Sequence, residues 1–399
     1  MKVFPFEVFS EEHDQLMKKL QVSNSGTAIM KDRFRMKSFM ISDISTPAAN
    51  VVKQHVLSLG GEAAVPAYSV NCSNPKADLI FSVREDRLPA LLEKFRCQCW
   101  KLPEVAEIIE KLITNKPPWF SFSSDRLDTA QGPLIMGILN VTPDSFSDGG
   151  KFAKFENAVS HAEKMINDGA DIIDIGGESA RPGASPVEES EEIRRVVPVI
   201  KAIREQFPSI AISIDTTKSK VALSALDAGA DIVNDISGLT FDTNMAVLAA
   251  ERKAPVVIMH ILGTPKTMQN NPVYDNFFTE TLEFLNNSIE IALSKGVREN
   301  SIILDPGICF GKDLNHNIAI IKHLEVYHSF AMPLLAGVSR KSMIAKITGR
   351  DDPMERTAGT VSLNTKLLEK GVAVIRVHDI KEAKDCVAVH NAMRDIKCF

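Results

Sequence analysis

The sequence predicts an α/β protein in which a closed (β/α)8 barrel follows a small α/β domain. From Leu134 onward, short apolar runs rich in β-branched residues alternate with longer amphipathic segments, and there are eight such runs. The 267 residues that begin at Pro133 also match the usual size of one barrel. Eight strand-like runs, with a helix-like segment after nearly every one, are typical of a parallel barrel.

The individual barrel elements follow from this alternation. The runs predicted as strands are Leu134–Leu139, Ile172–Ile175, Ile210–Ile214, Ile232–Val233, Val256–Met259, Ile302–Leu304, Leu334–Val338 and Val372–Val377. The segments predicted as helices are Ala158–Asn167, Val187–Glu205, Lys218–Asp227, Phe277–Ser294, Ile318–His323, Glu355–Lys370 and Ile380–Met393. A doubly wound sheet is the alternative, but it rarely needs eight such units and carries a glycine fingerprint after its first strand, which this sequence lacks.

The chain divides where its composition changes, between about Asn115 and Pro133. Paired prolines and a polar stretch in this region fit neither a helix nor a strand. We therefore predict a small α/β domain over residues 1–115, a linker over 116–132 and the barrel over 133–399.

The front domain shows weaker patterns and no evident chemistry. Its predicted helices are Glu11–Gln21, a helix that starts at Ser45-Thr46-Pro47 and stops at Gly60-Gly61, Leu88–Arg96 and Pro103–Ile113. Its predicted strands are Lys37–Ile41 and Asp78–Val83. The sequence alone assigns this domain no role.

Composition excludes several classes of protein. The chain has 46 basic and 51 acidic residues, a net charge of −5, and only two Trp and three Tyr, which argues against a nucleic-acid partner. No run of about 18 apolar residues predicts a membrane span, and the N-terminus has no signal-peptide pattern. The six cysteines are too scattered for a disulfide framework, so we expect a cytoplasmic protein.

Polar residues occur at the carboxyl end of every predicted barrel strand, where parallel strands open into a common mouth. They are Asn140 with Asp144 and Asp148 (in a loop that also carries Phe146), Asp174 with Glu178 and Arg181, Asp215, Asn234 with Asp235, His260, Asp305 with Lys312, Arg340 with Lys341, and Arg376 with His378. Any one of them is explained as a helix cap or an ion pair. Converging charges at all eight strand ends indicate a ligand site, because without a ligand they destabilise the fold.

These residues fall into two sets by charge. Asp215, Asn234 and Asp305 are acceptors that suit a ligand with several N–H donors. Arg181, Lys312, Arg340, Lys341, Arg376 and His378 are donors that suit an anion such as phosphate. Asn140 and Asp144 next to such an anion could help to hold Mg²⁺, which binds few protein oxygens and keeps phosphate and water as its other ligands. The ligand class that fits is a heteroaromatic amide joined to a phosphate or diphosphate.

Eight ordered motifs resemble those of the dihydropteroate synthase family. They are LIMGILNVTPDSFSDGG at 134–150, DIGGESARPG at 174–183, SIDTTKS at 213–219, VNDISG at 233–238, MHILGTPKTMQ at 259–269, DPGICFGK at 305–312, GVSRKSMI at 337–344 and RVHDI at 376–380. The resemblance covers the chain from Pro133 to about Met393. The front domain is similar to an N-terminal extension of some microbial members.

The resemblance implies a reaction and its small-molecule substrates. The family condenses 6-hydroxymethyl-7,8-dihydropterin diphosphate with 4-aminobenzoate, giving dihydropteroate and diphosphate in folate synthesis. By position, Asp215, Asn234, Asp305 and Lys341 hold the pterin, and Met259 packs either on the pterin ring or in the core. Asn140, Arg376 and His378 bind the diphosphate, with Mg²⁺ on Asn140. The aminobenzoate pocket is formed by Phe146, Arg181, Pro182, Phe310 and Ser342.

The resemblance also implies a mechanism in which diphosphate leaves first and the aminobenzoate nitrogen then attacks a cationic methylene. Asp215, Lys341, Arg376 and His378 are the implied catalytic residues. A homodimer is a further expectation from the family. Two positions depart from its pattern, because Ala180 stands where Thr is common and Ile308-Cys309 where a glycine usually precedes Phe. Both departures concern the aminobenzoate pocket and sulfonamide sensitivity.

Two other functions remain open at this stage. Methyltetrahydrofolate-dependent methyltransferases use a similar pterin-binding barrel, but they do not need the anion-binding set Lys341, Arg376 and His378. A non-catalytic paralogue that binds a pterin or a partner would not need these residues either. The sequence therefore favours the synthase.

Overall fold

The computed structural model describes residues 17, 20–30, 33, 35–114, 132–142 and 151–395. These residues form two compact units. One comprises the described residues up to Thr114 together with Arg394 and Asp395, and the other runs from Gly132 to Met393. The predicted linker, apart from Gly132, and most of the predicted helix Glu11–Gln21 lie outside the described residues. No helix in the described part of the chain is long and apolar enough to cross a bilayer.

The first unit is a small antiparallel sheet with helices. Its elements are α1 (Asn24–Met30), β1 (Met36–Ser45), α2 (Thr46–Ser58), β2 (Glu62–Ala64), β3 (Lys76–Arg84), α3 (Leu88–Arg96) and α4 (Leu102–Thr114). The strand order is β1-β3-β2, so the central strand β3 pairs on both sides. The small α/β prediction is confirmed. The strand β2 was not predicted, because the sequence Glu-Ala-Ala has no strand pattern of its own.

The core of this unit lies on one face of the sheet. Along β3, every second side chain is buried, as expected for a strand with one covered face. Phe81 of β3 packs edge-to-face on Phe95 of α3, with their ring centroids 6.3 Å apart. Helix α2 starts after Ser45 with a proline in its first turn, as predicted, although the Ser45 side chain makes no capping hydrogen bond.

The second unit is a barrel of eight parallel strands, which confirms the (β/α)8 prediction. The strands are β4 (Leu134–Asn140), β5 (Ile172–Gly176), β6 (Ala211–Asp215), β7 (Ile232–Asp235), β8 (Val256–Met259), β9 (Ile302–Asp305), β10 (Leu335–Ala336) and β11 (Val374–Val377). Consecutive strands pair from β4 to β9, and β10 pairs with β11, which pairs with β4. A parallel bridge between Leu304 and Leu334 closes the barrel.

Helices surround the strands, and most of them match the predicted segments. They are α5 (Lys151–Asp168), α6 (Glu189–Gln206), α7 (Ser219–Asp227), α8 (Met245–Arg252), α9 (Phe277–Ser294), α10 (Leu314–Lys322), α11 (Ser342–Thr348), α12 (Thr357–Glu369) and α13 (Ile380–Asp395). Helices α8 and α11 were missed because they have only eight and seven residues, too few to show a helical period. The strand predicted over Leu334–Val338 is shorter, because its ladder to β11 includes only Leu335 and Ala336.

Two apolar layers hold the barrel. Outward-facing strand residues pack under the helices in the main core, for example Ile173, Ile212 and Ile258. All eight strands contribute to the residues that fill the barrel interior, together with Ala373 directly before β11. These residues are Leu134, Met136, Ile172, Ala211, Ile232, Val257, Ile303, Leu335, Ala373 and Val374. Because these side chains plug the amino-terminal half of the barrel, the polar residues at the strand ends lie on top of an apolar layer.

The interior layer gives a stability prediction. Ile303 is 0% exposed inside the barrel, whereas Ile318 on α10 is 41% exposed. We expect Ile303→Ala to lower the free energy of unfolding by about 2–5 kcal/mol, because it leaves a cavity that the closed barrel cannot fill. Ile318→Ala should change it by no more than about 0.5 kcal/mol. Urea unfolding followed by circular dichroism measures both, and equal effects would contradict the assigned interior layer.

Candidate active site

The carboxyl ends of the barrel strands meet in one mouth, which is lined by polar side chains. Four of these residues form what we call the acidic floor: Asp174, Asp215, Asn234 and Asp305. They end or interrupt the apolar strands β5, β6, β7 and β9, so the parallel geometry brings together residues that are up to 131 positions apart in sequence. Among them Asp174, Asn234 and Asp305 are buried.

Arg376 of β11 is held by two carboxylates of this floor. Its Nε donates to Asp174 Oδ2 at 2.6 Å, and its Nη2 donates to Asp215 Oδ2 at 2.7 Å. The Asn234 side-chain amide donates to the same Asp174 oxygen at 3.1 Å. One guanidinium therefore connects β11 to β5 and β6, and its position is defined by two charge-assisted hydrogen bonds.

Asp174 is a site residue that the sequence analysis noted at a strand end but did not include in the predicted site. Its side chain is completely buried, and its Oδ1 has no hydrogen-bond partner in the described part of the protein. The signal was present, since a carboxylate stands inside the otherwise apolar strand Ile172–Gly176. A buried charge in such a strand needs a partner, and the partner is Arg376.

Burial controls the protonation of Asp215. Burial raises the pKa of Asp215 to about 7, while the Arg376 guanidinium acts in the opposite direction and Asp174 adds to the rise. Asp215 therefore titrates close to neutral pH instead of near 4.

Asp305 and Lys341 lie in the same mouth as Arg376. Asp305 Oδ1 accepts from the Gly307 backbone N–H at 2.7 Å, and burial raises the pKa of this carboxyl against the opposing effect of Lys341. Lys341 Nζ donates to the Ile308 carbonyl at 2.6 Å. Gly337 separates the two cations, because a Cβ there would lie 3.6 Å from Arg376 Cβ and 3.8 Å from Lys341 Nζ. Both cations therefore face the floor from the side of β10 and β11.

His378 lies beside the floor as a neutral imidazole. Its Nδ1 is 2.9 Å from Ser339 Oγ, and its backbone N–H donates to the same hydroxyl at 3.1 Å. Burial, followed by the positive charges of Arg376 and Arg340, lowers the pKa of His378 to about 4. At neutral pH it can donate one hydrogen bond from Nε2 but carries no charge.

Asn140, at the end of β4, faces the floor across Gly176. A Cβ at Gly176 would lie 3.7 Å from Asn140 Oδ1 and 3.8 Å from Asp215 Oδ2. In the described part of the chain, no hydrogen bond occupies the Asn140 side chain, so its amide oxygen is available to a ligand. Glycine at this position keeps the space between Asn140 and Asp215 open.

An apolar wall borders the floor. It consists of Ile236, Met259, Ile261 and Met268, with Ala180 and Phe310 packed against them. Met259 is 3% exposed and packs with the residues of this wall, not with those of the main barrel core. Lys341 Nζ lies 4.8 Å from the centroid of the Phe310 ring, in a cation–π contact that joins the wall to the floor.

The predicted aminobenzoate residues lie on different parts of the rim. Arg181, Pro182 and Ser342 are exposed, and Phe310 is half-buried. The Arg181 charge contributes to the low pKa of His378, so it lies near the diphosphate residues. Asp144 and Phe146 lie outside the described residues.

Two polar residues of the predicted mouth have structural partners instead. Arg340 forms an ion pair with Asp379, and Arg356 donates to the Arg340 carbonyl at 2.8 Å. The Asp235 carboxylate accepts the Ser237 and Leu239 backbone N–H groups at 2.7 and 3.2 Å, which closes the turn after β7. For Arg340 and Asp235 the interpretation as structural caps and pairs is therefore sufficient.

Lys312, another residue of the predicted anion set, is buried beneath the loop that follows β9. Its Nζ lies 2.7 Å from His260 Nδ1 and donates to the Phe310 carbonyl at 3.0 Å. Burial lowers the pKa of Lys312 to about 7, and burial together with Lys312 lowers the pKa of His260 to about 2. Lys312 shapes the backbone around Phe310 rather than presenting an anion site in the open mouth.

Gly307 allows the loop after β9 to pack directly against the His260 backbone while its N–H bonds to Asp305. This close contact gives a prediction. A Cβ at Gly307 (φ +69°) would lie 1.8 Å from the His260 carbonyl oxygen, whereas one at Gly349 (φ +71°) meets no atom within 4 Å. We expect Gly349→Ala to cost about 1–2 kcal/mol from backbone strain alone. Gly307→Ala should cost clearly more and should weaken pterin binding. Thermal unfolding and pterin titration of both variants measure this, and equal losses would contradict it.

Comparison with known proteins agrees with this geometry. Residues 136–378 match the family model described as pterin binding enzyme. The dihydropteroate synthase of Synechocystis sp. is 43% identical over 285 residues, covering 71% of this chain and 98% of the relative. The Escherichia coli K12 enzyme is 44% identical over 265 residues, covering 66% and 93%.

Solved structures give the same result. The Yersinia pestis dihydropteroate synthase in complex with a sulfonamide drug superposes with a TM-score of 0.64 at 42% identity, covering 68% of this chain and 97% of that one. The Xanthomonas albilineans enzyme with 4-aminobenzoic acid gives 0.63 at 39% identity, covering 66% and 94%. Both matches cover about as much of the chain as the barrel does. The chain therefore belongs to the pterin binding enzyme family and, within it, to the dihydropteroate synthases.

Proposed function

We propose that this chain condenses 6-hydroxymethyl-7,8-dihydropterin diphosphate with 4-aminobenzoate, releasing diphosphate, and that the acidic floor and Arg376 divide the work. One observation supports this most strongly. Arg376 is held between Asp174 and Asp215 in a mouth that also contains Asp305 and Lys341. A site with adjacent buried acids and cations suits a substrate that carries N–H donors at one end and phosphates at the other.

The floor recognises the pterin. The pterin N3–H and 2-amino group are parallel donors that one carboxylate can accept together. Asp305 and Asp215 supply carboxylates, and Asn234 supplies an amide beside them. Lys341 can donate to the ring carbonyl and N5. The flat ring packs beside the apolar wall, where Met259 contacts it from the side of β8.

Arg376 and His378 bind the diphosphate. Arg376 uses two of its five N–H donors on Asp174 and Asp215, which leaves three for phosphate oxygens. The two carboxylates hold the guanidinium in place before the substrate arrives, so little reorganisation is needed as charge develops. His378 contributes a hydrogen bond from its neutral ring, and not a positive charge.

Asn140 would hold Mg²⁺ next to the diphosphate. Mg²⁺ prefers a few protein oxygens and completes its shell with phosphate and water. The described residues contain no group of three or more His, Cys, Asp or Glu that could hold a metal ion, and in this proposal Asn140 would share the ion with phosphate oxygens and water. The Asn140 amide oxygen lies across Gly176 from Asp215 Oδ2, at the edge of the floor, which supports this role. There the ion would neutralise charge on the leaving diphosphate.

The reaction requires little proton transfer. The bond between the exocyclic methylene carbon and the diphosphate oxygen breaks, and its electron pair leaves with the diphosphate. The resulting cation is conjugated with the pterin, and ionised Asp215 stabilises it. The aminobenzoate nitrogen then donates its lone pair to the carbon and releases a proton to solvent. Arg376 and His378 stabilise the leaving group, which is usually the larger contribution in such transfers.

The second substrate binds at the rim. Arg181, Pro182, Phe310 and Ser342 surround it, and Phe146 of the loop after β4 would complete the pocket. The departures from the family pattern lie beside this pocket. Ala180 packs on the apolar wall instead of offering a hydroxyl. Cys309 adopts φ +70°, which explains why glycine is usual there, and its backbone N–H donates to Asn317 Oδ1 at 2.6 Å.

We further propose a cytoplasmic homodimer. Cys72, Cys97 and Cys99 are exposed free thiols, which suits a reducing compartment. The homodimer is the expectation from the family resemblance. Light scattering of the purified chain measures the oligomer directly.

Incubation of the purified chain with both substrates tests the function. We expect equimolar dihydropteroate and diphosphate, detected by chromatography and by a coupled diphosphate assay. Methyl transfer from methyltetrahydrofolate without this product would support the methyltransferase. Pterin binding without either reaction would support a non-catalytic paralogue.

Asp215→Asn tests the cation-stabilising role. We expect kcat to fall at least about 100-fold, a loss of about 2.7 kcal/mol of transition-state stabilisation, with pterin affinity changed much less. Asp351→Asn, an exposed change on the barrel surface, serves as the control. Steady-state kinetics and pterin titration measure the two effects, and near wild-type turnover in Asp215→Asn would show that the role is wrong.

The pKa of Asp215 adds a pH dependence. Because this pKa is raised to about 7, the carboxylate is ionised above that pH and protonated below it. We therefore expect kcat/KM to rise with pH through about 7 and then to level off. The profile of Asp215→Asn retains the titration of the substrate itself and provides the reference. An identical step in both proteins would contradict the assignment.

Metal removal tests the Asn140 assignment. Chelation with EDTA should abolish turnover, and added Mg²⁺ should restore it. Asn140→Ala should raise the Mg²⁺ concentration needed for half-maximal rate at least about tenfold, because it removes the protein ligand. Unchanged activity in EDTA would contradict the metal requirement.

A further inference from the structure

Three charged residues near the mouth form an ion cluster that the proposed mechanism does not use. Lys218 Nζ contacts Glu178 Oε2, and it donates to Glu192 Oε2 at 2.6 Å. Glu178 lies in the loop after β5, Glu192 on α6 and Lys218 at the start of α7. Glu192 is 1% exposed, whereas Glu178 and Lys218 are partly buried. The cluster therefore joins a loop to two fixed elements of the barrel.

The loop in question, residues 177–188, is the aminobenzoate loop, because it carries Arg181 and Pro182. Glu178 also accepts the Val187 backbone N–H at 2.9 Å, so one carboxylate holds both ends of the loop together. The tip of the loop is connected elsewhere, because the Gly183 N–H donates to the Pro265 carbonyl at 3.1 Å. Two side-chain contacts thus attach the base of the loop to the barrel: Glu178 contacts Lys218, and Arg195 Nη1 of α6 donates to the Gly177 carbonyl at 2.9 Å.

Lys218 relates this loop to the pterin site. It follows Asp215 by three residues, in the turn between β6 and α7. Glu192 provides the buried reference point on α6, where Gly177 packs so closely that a Cβ would lie 2.9 Å from Glu192 Cγ. A lysine between two carboxylates balances one of their charges and removes most of their mutual repulsion. Although burial acts to lower it, the pKa of Lys218 is raised by hydrogen bonds to Glu178 and Glu192, so the lysine stays charged.

We propose that Glu178 and Lys218 are positioning residues that set the affinity for the arylamine substrate by fixing the aminobenzoate loop over the pterin site. This inference rests on the proposed function of the same mouth. Neither residue needs to touch a substrate. Removing the Glu178 carboxylate leaves the Lys218–Glu192 pair intact. The loop therefore becomes less ordered, while the acidic floor, built on strand ends, keeps its geometry. Binding of the second substrate then has to order the loop.

The chain offers a matched control for this ion cluster. Lys220, two residues after Lys218, pairs with Glu189 at 3.0 Å, and this pair also bridges α6 and α7. Both of its side chains are exposed, and Glu189 lies outside the aminobenzoate loop. Glu189→Ala therefore removes a glutamate and an α6–α7 ion pair but leaves the Glu178 contacts of the aminobenzoate loop unchanged.

Steady-state kinetics of Glu178→Ala, Glu178→Gln and Glu189→Ala test the proposal. We expect Glu178→Ala to raise KM for 4-aminobenzoate at least tenfold, with kcat and the affinity for pterin diphosphate within about threefold of wild type. Glu178→Gln keeps an oxygen for Val187 and Lys218 and should recover most of the loss. Glu189→Ala should match wild type. An unchanged KM in Glu178→Ala, or an equal rise in Glu189→Ala, would overturn the proposal.

Hydrogen–deuterium exchange separates this proposal from the proposed function, because it requires no turnover. In Glu178→Ala and in Lys218→Met, amides of residues 177–188 should exchange at least about tenfold faster, while strands β6, β7 and β9 remain as protected as in wild type. If the wild type is inactive, faster loop exchange in the two variants would still support the role of Glu178 and Lys218 in holding the loop. In that case only the proposed function would be wrong. Unchanged exchange in the loop, or general deprotection of the barrel, would refute a specific tether.

Discussion

The site depends on the placement of Arg376 between Asp174 and Asp215. Three carboxylates and one amide lie at the base of the barrel mouth, and unpaired buried charges of this kind are strongly unfavourable. The guanidinium compensates two of them with short hydrogen bonds of 2.6 and 2.7 Å. It also joins β11 to β5 and β6, so the last strand of the barrel is attached to the second and third through their functional side chains. The same two hydrogen bonds therefore compensate the buried carboxylates and hold the Arg376 guanidinium in position for a substrate.

The two proposed substrates meet different kinds of structure. The proposed pterin site is built from side chains on strand ends, where the closed barrel allows little movement. The proposed arylamine site is built from the loops after β5, β9 and β10, and loops adapt more readily than strand ends. Small backbone features support this division. Gly176 keeps the space open between Asn140 and Asp215, and Gly307 lets the loop after β9 fold back to Asp305.

Burial decides the protonation states in the mouth. His378 is neutral because burial and three arginines lower its pKa, and Asp215 titrates near 7 because burial raises its pKa. The positive charge that we propose for diphosphate binding therefore comes from Arg376, with Arg181 near the rim and Mg²⁺ as the proposed addition. A lysine outside the floor, Lys218, has a different task, since it connects the loop of the second substrate to the helices below. The catalytic floor and its loop are thus held by separate ion clusters.

The barrel, its strand order and the positions of the polar strand ends were predictable from the sequence, because periodicity is a local property and parallel strands share one carboxyl end. The eight motifs further identified the family. Which charges pair with which became clear from the folded structure. Arg340 and Asp235 turned out to hold turns, Lys312 to support a buried loop, and Asp174 to complete the floor. The short helices α8 and α11 also required the structure, since seven or eight residues are too few for a helical period. The physical reason is the same throughout: the function of a charged side chain depends on partners that are distant in sequence, and folding alone brings them within a hydrogen bond of each other.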